Sequence, residues 1–119
     1  MADISKQKFT NATLGRPILV TTNASPGTAI HTVTTNSSQF DEVWLYATNN
    51  SSNTNVSLTV EFGSNSSSDQ INAAIPFKSG LYLLIPGIPL QGDATPPTVK
   101  AYASVTNVIS ISGWVNRLG

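Results

Sequence analysis

The chain has 119 residues, of which six are Lys or Arg and six are Asp or Glu, so its formal net charge is zero. A neutral chain has no basic field to hold a nucleic-acid backbone, and we expect no nucleic-acid partner. The sequence contains no Cys, which excludes thiol chemistry and cysteine-ligated zinc.

Charged residues make up only 10% of the chain, whereas about a quarter is usual in soluble domains. Ser, Thr and Asn fill the polar positions instead, which suits contacts within crowded assemblies and contacts with glycans. The first nine residues have no apolar signal core, and no apolar run reaches the length that spans a membrane. The sequence therefore predicts neither signal-directed export nor a membrane partner.

Residues 1–15 show no sustained hydrophobic period, and the sequence predicts a flexible N-terminal arm there, followed by one β-domain over residues 16–119. Three residues of the arm are candidate partner-binding residues: Lys6, Lys8 and Phe9. We expect the arm to be mobile by itself and ordered against a partner.

The first predicted strand follows Pro17 and covers residues 18–22. A turn separates it from a β-branched strand over residues 28–34. The two strands form a plausible hairpin, although the five residues between them permit other pairings.

Residues 42–48 alternate Val43, Leu45 and Ala47 with Trp44 and Tyr46. Both faces of this predicted strand are apolar or aromatic, so one of them should face something other than the domain's own core. A neighbouring subunit is the expected cover, and the pattern predicts an oligomer.

Residues 55–62 give the clearest strand, with apolar residues on one side and Ser57, Thr59 and Glu61 on the other. Such a strand has one face in a core and the other in water, as in antiparallel sheets.

The next predicted strand, residues 71–77, should be an edge strand or end near Pro76, which cannot donate to a ladder. Residues 81–85 are mostly apolar and predict a strand buried on both faces. Two more strands cover residues 98–104 and 107–116, with Trp114 opposite the apolar side of the last one. About eight antiparallel strands predict an all-β, single-domain β-sandwich. A jelly roll is the leading topology, and an immunoglobulin-like or Greek-key arrangement is the alternative.

No pattern in the chain predicts catalysis, a metal or a cofactor. His31 is the single histidine, and a metal site needs several convergent ligands. Asp41 and Glu42 are adjacent on a strand, so their side chains should diverge, and no phosphate-binding loop, dinucleotide fingerprint or nucleophile elbow is present. We therefore expect a protein that is not an enzyme.

Aromatic residues are the better candidates for a binding site. Trp44, Tyr46 and Trp114 are candidate partner-binding residues, because rings of this kind are enriched in interfaces. Core filling with subunit contacts is one interpretation, and a platform for stacking glycans is the other.

Three segments of the chain resemble small structural proteins of tailed bacteriophages, especially those of marine and cyanobacterial hosts. They are residues 58–63 (LTVEFG), Ile75-Pro76 together with residues 79–90 (SGLYLLIPGIPL), and residues 108–117 (VISISGWVNR). The resemblance extends over most of residues 28–118 and rests on strand-and-turn motifs without chemistry. It implies a virion component made in the host cytoplasm and located on the phage head.

Within that family, the resemblance points to a head decoration (cement) protein, a homotrimer that binds the major capsid protein and stabilises the assembled head. The alternative is a tail-associated or fibre-associated module for host attachment or carbohydrate binding.

Overall fold

The computed structural model describes residues 3–119, which form two antiparallel sheets packed face to face. The strands within these residues are β1 (Ile4–Lys8), β2 (Ile18–Leu19), β3 (Thr28–Thr32), β4 (Phe40–Asn49), β5 (Val56–Gly63), β6 (Gln70–Ile75), β7 (Tyr82–Gln91), β8 (Thr98–Ala103) and β9 (Ile109–Leu118). Short 3-10 turns occupy Thr13–Gly15 and Ser67–Asp69.

The strand order is that of a jelly roll. The first sheet runs β1-β9-β4-β7, with β2 also paired to β9, and the second runs β3-β8-β5-β6. Strands from the two halves of the chain pair in nested order, β1 and β2 with β9, β3 with β8, β4 with β7 and β5 with β6. The predicted β-sandwich is confirmed, and β1 and β2 share one strand position, which gives eight positions in all.

Alternate residues of the long strands fill the space between the sheets. On β4 the inward residues Val43, Leu45 and Ala47 are fully buried, while Trp44 and Tyr46 lie on the opposite face, as the alternation predicts. The remaining buried apolar side chains come chiefly from β5, β8 and β9. No helix among residues 3–119 is long and apolar enough to span a membrane.

The segment predicted to be an N-terminal arm differs in the structure. Residues Ile4–Lys8 form β1 and pair with β9 over five residues, from Ile4 opposite Leu118 to Lys8 opposite Trp114. Phe9, which follows β1, is 1% exposed and belongs to the core. Residues 4–8 show no hydrophobic period because β1 is an edge strand with mostly polar, exposed residues. Residues 1 and 2 of the predicted arm lie outside the described part of the chain.

Two strand predictions are wrong in their pairing or burial. Residues 18–22 and 28–34 do not form a hairpin, because β2 pairs with β9 in the first sheet and β3 pairs with β8 in the second. Of the run at residues 81–85, all but Leu81 belong to β7, an edge strand whose residues are mostly exposed or half-buried. The strand at residues 70–75 does end before Pro76 and does lie at a sheet edge.

Glu61 also departs from the expected burial. It lies on the outer side of β5 as predicted, yet it is fully buried. The loop before β3 covers it: the Ser25 hydroxyl donates to Glu61 Oε2 at 2.6 Å, and the Gly27 amide donates to Oε1 at 2.7 Å. A loop that folds back over a sheet leaves no signal in the alternation of the strand it covers.

Candidate functional site: the aromatic face

The outer surface of the first sheet carries a cluster of aromatic rings: Trp44 and Tyr46 of β4 and Trp114 of β9. We call these rings, with the polar residues Lys6, Glu42 and Asn116 beside them, the aromatic face. Trp44 and Trp114 are directly opposite each other in the β4–β9 register. Their strands alternate strictly there, so residues two apart share this face.

The two indole rings are nearly parallel. Their centroids lie 5.7 Å apart with an angle of 11° between the planes, and Tyr46 lies 6.0 Å from Trp114 at 27°. On β1, the Lys6 ammonium lies 5.0 Å from the centroid of the Trp114 ring. Offset aromatic pairs of this geometry contribute about 0.5–1.5 kcal/mol beyond burial, and a cation over an exposed indole adds about 0.5–1 kcal/mol. The cluster is therefore preorganised.

Hydrogen bonds fix the polar border of the aromatic face. Glu42 Oε1 accepts from Trp44 Nε1 at 2.8 Å and from Asn116 Nδ2 at 3.1 Å. The bond from Asn116 and then that from Trp44 lower the pKa of Glu42, so its carboxylate is charged at neutral pH. Trp114 Nε1 is buried and has no hydrogen-bond partner within residues 3–119.

Gly87 of β7 supports the Trp44 ring from the neighbouring strand. A Cβ atom at Gly87 would lie 2.7 Å from Trp44 Cζ2, and the backbone φ of Gly87 is +81°. Side chains rarely adopt that φ, and no side chain fits between this backbone and the ring. The glycine thus lets β7 pack directly against the indole.

The structure brings together four of the six residues that the sequence singled out for partner binding. Lys6, Trp44, Tyr46 and Trp114 meet on the aromatic face. Lys8 is exposed on β1, opposite Trp114 in the strand register.

Phe9 is the exception and must be corrected, because a side chain that is 1% exposed cannot contact a partner. Its ring packs inside the sandwich, with its centroid 5.8 Å from that of His31.

A second cluster of polar side chains lies inside the sandwich, around Asp41. Arg117 donates to both carboxylate oxygens of Asp41, from Nε at 2.8 Å and from Nη2 at 3.0 Å. Asp41 Oδ2 also accepts from the Thr34 amide at 3.1 Å and lies 2.8 Å from His31 Nε2. Asp41 and His31 are both essentially fully buried, and the cluster joins β3 of the second sheet to β4 and β9 of the first.

The hydrogen bonds around His31 define its protonation. The Thr10 amide donates to His31 Nδ1 at 3.1 Å, so Nδ1 is the unprotonated nitrogen and Nε2–H donates to Asp41. Burial lowers the pKa of His31 and outweighs the opposing effect of Asp41, so the ring is neutral. Burial alone would raise the pKa of Asp41, but the bonds from Arg117 and His31 hold it below its ordinary value.

Sequence reasoning missed this buried cluster, although it did predict that Asp41 and Glu42 would diverge. The available signal was that Asp41 precedes Val43, Leu45 and Ala47 at the same period of two, which puts its carboxylate on the core face. With its surrounding donors, this arrangement ties the two sheets together.

An open cleft of about 620 Å³ lies at one end of the sandwich, lined by the residues before β8 with Ser37, Gly63 and Gln91. The described residues, 3–119, contain no group of three or more His, Cys, Asp or Glu placed to hold a metal ion.

Comparison with protein-family models, with curated proteins and with solved structures finds no match to this chain. The fold and the two polar and aromatic clusters are therefore the observations from which its function is argued.

Proposed function

We propose that the protein is a non-enzymatic structural component of a tailed-phage particle, which docks on the assembled head through its aromatic face and stabilises the shell. The observation that carries this proposal is the preorganised stack of Trp44, Trp114 and Tyr46 on the outer surface of the first sheet. Residues of this kind supply most of the binding energy in protein interfaces, because they bury large areas and lose little side-chain entropy.

The polar border suits a protein partner. Lys6 and the charged Glu42 flank the rings and offer one cationic and one anionic contact, while the rest of the chain has few charges. Jelly rolls occur in viral capsid proteins and in lectins. By analogy the fold therefore agrees with both a virion structural protein and a carbohydrate-binding module, and it does not distinguish between them. The resemblance of residues 28–118 to small phage structural proteins supports the head, with the major capsid protein as partner.

The carbohydrate-binding alternative needs ring faces that are open to a sugar. The Trp44 and Trp114 rings lie nearly parallel at 5.7 Å, and Lys6 covers the Trp114 ring. Rings that stack on each other present edges more than faces to a ligand. This geometry favours a protein partner over a glycan.

Binding to purified assembled heads tests the proposal. We expect the protein to bind the assembled heads and raise their resistance to heat, and to bind unassembled capsid protein and host polysaccharides poorly, because several weak sites act together only on a lattice. Trp114→Ala should weaken head binding roughly ten- to a hundredfold. Moderate salt should change the binding little, since few charges take part.

Tyr82→Ala is the matched control, because Tyr82 is an exposed aromatic residue of β7 that lies outside the stack. Saturable glycan binding that Trp114→Ala abolishes, together with no effect on heads, would favour the attachment module instead. Equal loss of head binding in both variants would contradict a role for the aromatic face.

A further inference from the structure

The sandwich has four sheet edges: β1 and β7 in the first sheet, and β3 and β6 in the second. An open edge presents unpaired N–H and C=O groups to which another strand can pair. Proteins that avoid such pairing block their edges with Lys, Pro, bulges or a covering segment.

The two edges of the first sheet are blocked. β1 carries Lys6 and Lys8 within five residues. β7 carries Pro86 and Pro89, and its register with β4 shifts at two points, which bends the strand away from a flat edge.

The β3 edge of the second sheet is covered by other parts of the chain. The Thr28 amide donates to Thr22 Oγ1 at 3.0 Å, and the Thr32 amide donates to Thr10 Oγ1 at 2.8 Å. The Ile30 carbonyl between them accepts from the Asn11 amide at 3.2 Å. One main-chain group at each of Thr28, Ile30 and Thr32 is thus already bonded.

β6 has no Lys, Pro or bulge of its own, and only one of its main-chain groups is covered by the described part of the chain. Its sequence, Gln-Ile-Asn-Ala-Ala-Ile, has no charge and no proline, and its register with β5 is unbroken over six pairs. Within residues 3–119, Ile75 carries the only main-chain group of β6 bonded outside β5, its carbonyl accepting from Asn49 Nδ2 at 2.9 Å.

We propose that β6 is a self-association strand that pairs antiparallel with β6 of a second copy of this chain. The pairing joins two four-stranded sheets into one continuous sheet of eight strands. A two-fold register that keeps the core faces together sets Ile71 opposite the partner subunit's Ile75, with Ala73 on the axis.

The strand that pairs with β6 comes from a second copy of the chain, because this edge is complementary to itself. β6 carries no charge, so its own copy meets no like charge across the axis, whereas β1 paired with itself would set Lys against Lys. The inward residues Ile71, Ala73 and Ile75 are apolar and pack on the core, so the pairing extends the core face across the two-fold axis.

β7 of the first sheet lies on the same side of the sandwich as β6 and adds contact area there. β1 and β3 share one side, since Thr10, just after β1, bonds His31 of β3, and β7 and β6 therefore share the other. β7 exposes Leu83 and Ile88, which are 43% and 44% accessible. The two-fold pairing brings the β7 edges of both copies near each other. The assembly formed by this pairing is a closed dimer, whereas the resemblance implies a trimer.

Sedimentation equilibrium of the full chain from micromolar to millimolar concentration tests the pairing. We expect the mass to rise from 12.5 kDa towards twice that value. Ala74→Lys, at an exposed position of β6, places a Lys from each copy on the same face across the axis and should raise the dissociation constant at least tenfold. Ser57→Lys is the matched control, because Ser57 is exposed and pairs with Ala74 one strand further in.

Hydrogen exchange supplies a second readout that does not depend on a variant. Amides of β6 should become more protected at high concentration, while amides of β1 should not change. A chain that stays at 12.5 kDa at millimolar concentration, a trimer, or a dimer that Ala74→Lys and Ser57→Lys weaken equally would each overturn the proposal. None of these outcomes bears on head binding, which the aromatic-face variants test separately.

Discussion

Asp41 accepts hydrogen bonds from three side-chain N–H groups and one amide while it is fully buried. Its loss leaves His31 without a partner for Nε2 in the interior and removes the carboxylate that neutralises Arg117, whose side chain is 26% exposed. Breaking a buried ion pair by removing one member costs about 3–5 kcal/mol, because an uncompensated charge remains. This cluster is therefore where a single conservative change should have its largest effect.

We expect Asp41→Asn to lower the free energy of unfolding by about 3–5 kcal/mol, measured with urea at neutral pH. The amide keeps the shape of the carboxylate, but its NH2 group faces donors on Arg117 and His31. Asp93→Asn is the matched control, since Asp93 is an exposed loop residue, and its effect should stay within about 0.5 kcal/mol. Similar losses in the two variants would show that the buried cluster contributes nothing special.

The same residues make stability depend on acid. His31 has a folded pKa below its ordinary 6.5, so its contribution is complete above that pH and is lost as the pH falls below it, when the unfolded chain takes up the proton first. Asp41 has a folded pKa below 3.8, so a second loss follows below that value. Asp41 and Arg117 are the charged groups bonded in this cluster with His31.

Urea unfolding at pH 7.5, 5.5 and 3 measures this dependence. We expect the free energy of unfolding to be lower at pH 5.5 than at pH 7.5, because the first loss begins as the pH falls below 6.5, and to be lower again at pH 3, below 3.8. His31→Gln should remove the first decrease and keep the second. A free energy of unfolding that is the same at pH 7.5 and pH 5.5 would contradict the buried, neutral state of His31.

At the scale of single elements, β7 shows how a strand edge positions a functional side chain. Gly87 and Gly80 have similar backbone angles, +81° and +72°, yet a Cβ atom at Gly87 would meet the Trp44 ring, whereas nothing lies within 4 Å of the same position at Gly80. Substitutions at the two glycines therefore distinguish the stability lost through the backbone angle, which both share, from the stability lost by displacing the indole, which occurs only at Gly87.

Gly87→Ala should displace Trp44, shift the tryptophan fluorescence and cost about 1–3 kcal/mol more than Gly80→Ala in urea unfolding. Both variants carry the same strain from a positive φ, so only the contact with the ring differs between them. Fluorescence spectra that are identical in the two variants would show that β7 does not hold the ring.

Element by element, the sequence predicted the interior strands and the edge strand β6, but it missed β1 and misjudged the burial of β7. The period of two placed Val43 and Leu45 in the core and Trp44 outside, because β4 is paired on both sides and keeps a regular pleat. β1 has little apolar surface to mark it, and β7 has register shifts that change which side its residues face. Pairing between distant strands, such as β1 with β9, depends on the whole chain and cannot be inferred from local periodicity.

In the candidate site too, local alternation identified the residues of regular strands but not those whose role depends on contacts between strands. The alternation identified the rings of the aromatic face, since each belongs to a regular strand. It missed the role of Asp41, Arg117 and His31, because Arg117 is 76 residues from Asp41 in the sequence and His31 lies on a strand of the other sheet. It assigned Phe9 to a partner, since nothing local indicates that the chain turns inward after β1.

In the complete jelly roll, the two proposed binding surfaces lie on different parts of the sandwich. The aromatic face lies on the outer side of the first sheet, and the open β6 edge lies at the border of the second. One surface is proposed to meet the particle and the other a second copy, so each can be engaged without blocking the other. A rigid sandwich with two such surfaces suits a protein that stabilises a lattice.

Hydroxyl-radical footprinting of the protein bound to purified assembled heads shows directly whether the aromatic face is covered on binding. We expect the oxidation of Trp44 and Trp114 to fall several-fold on binding, while exposed Phe77, which is not part of the aromatic face, is oxidised as in the free protein. Bound protein whose Trp44 and Trp114 are oxidised as readily as in solution would contradict docking through this face.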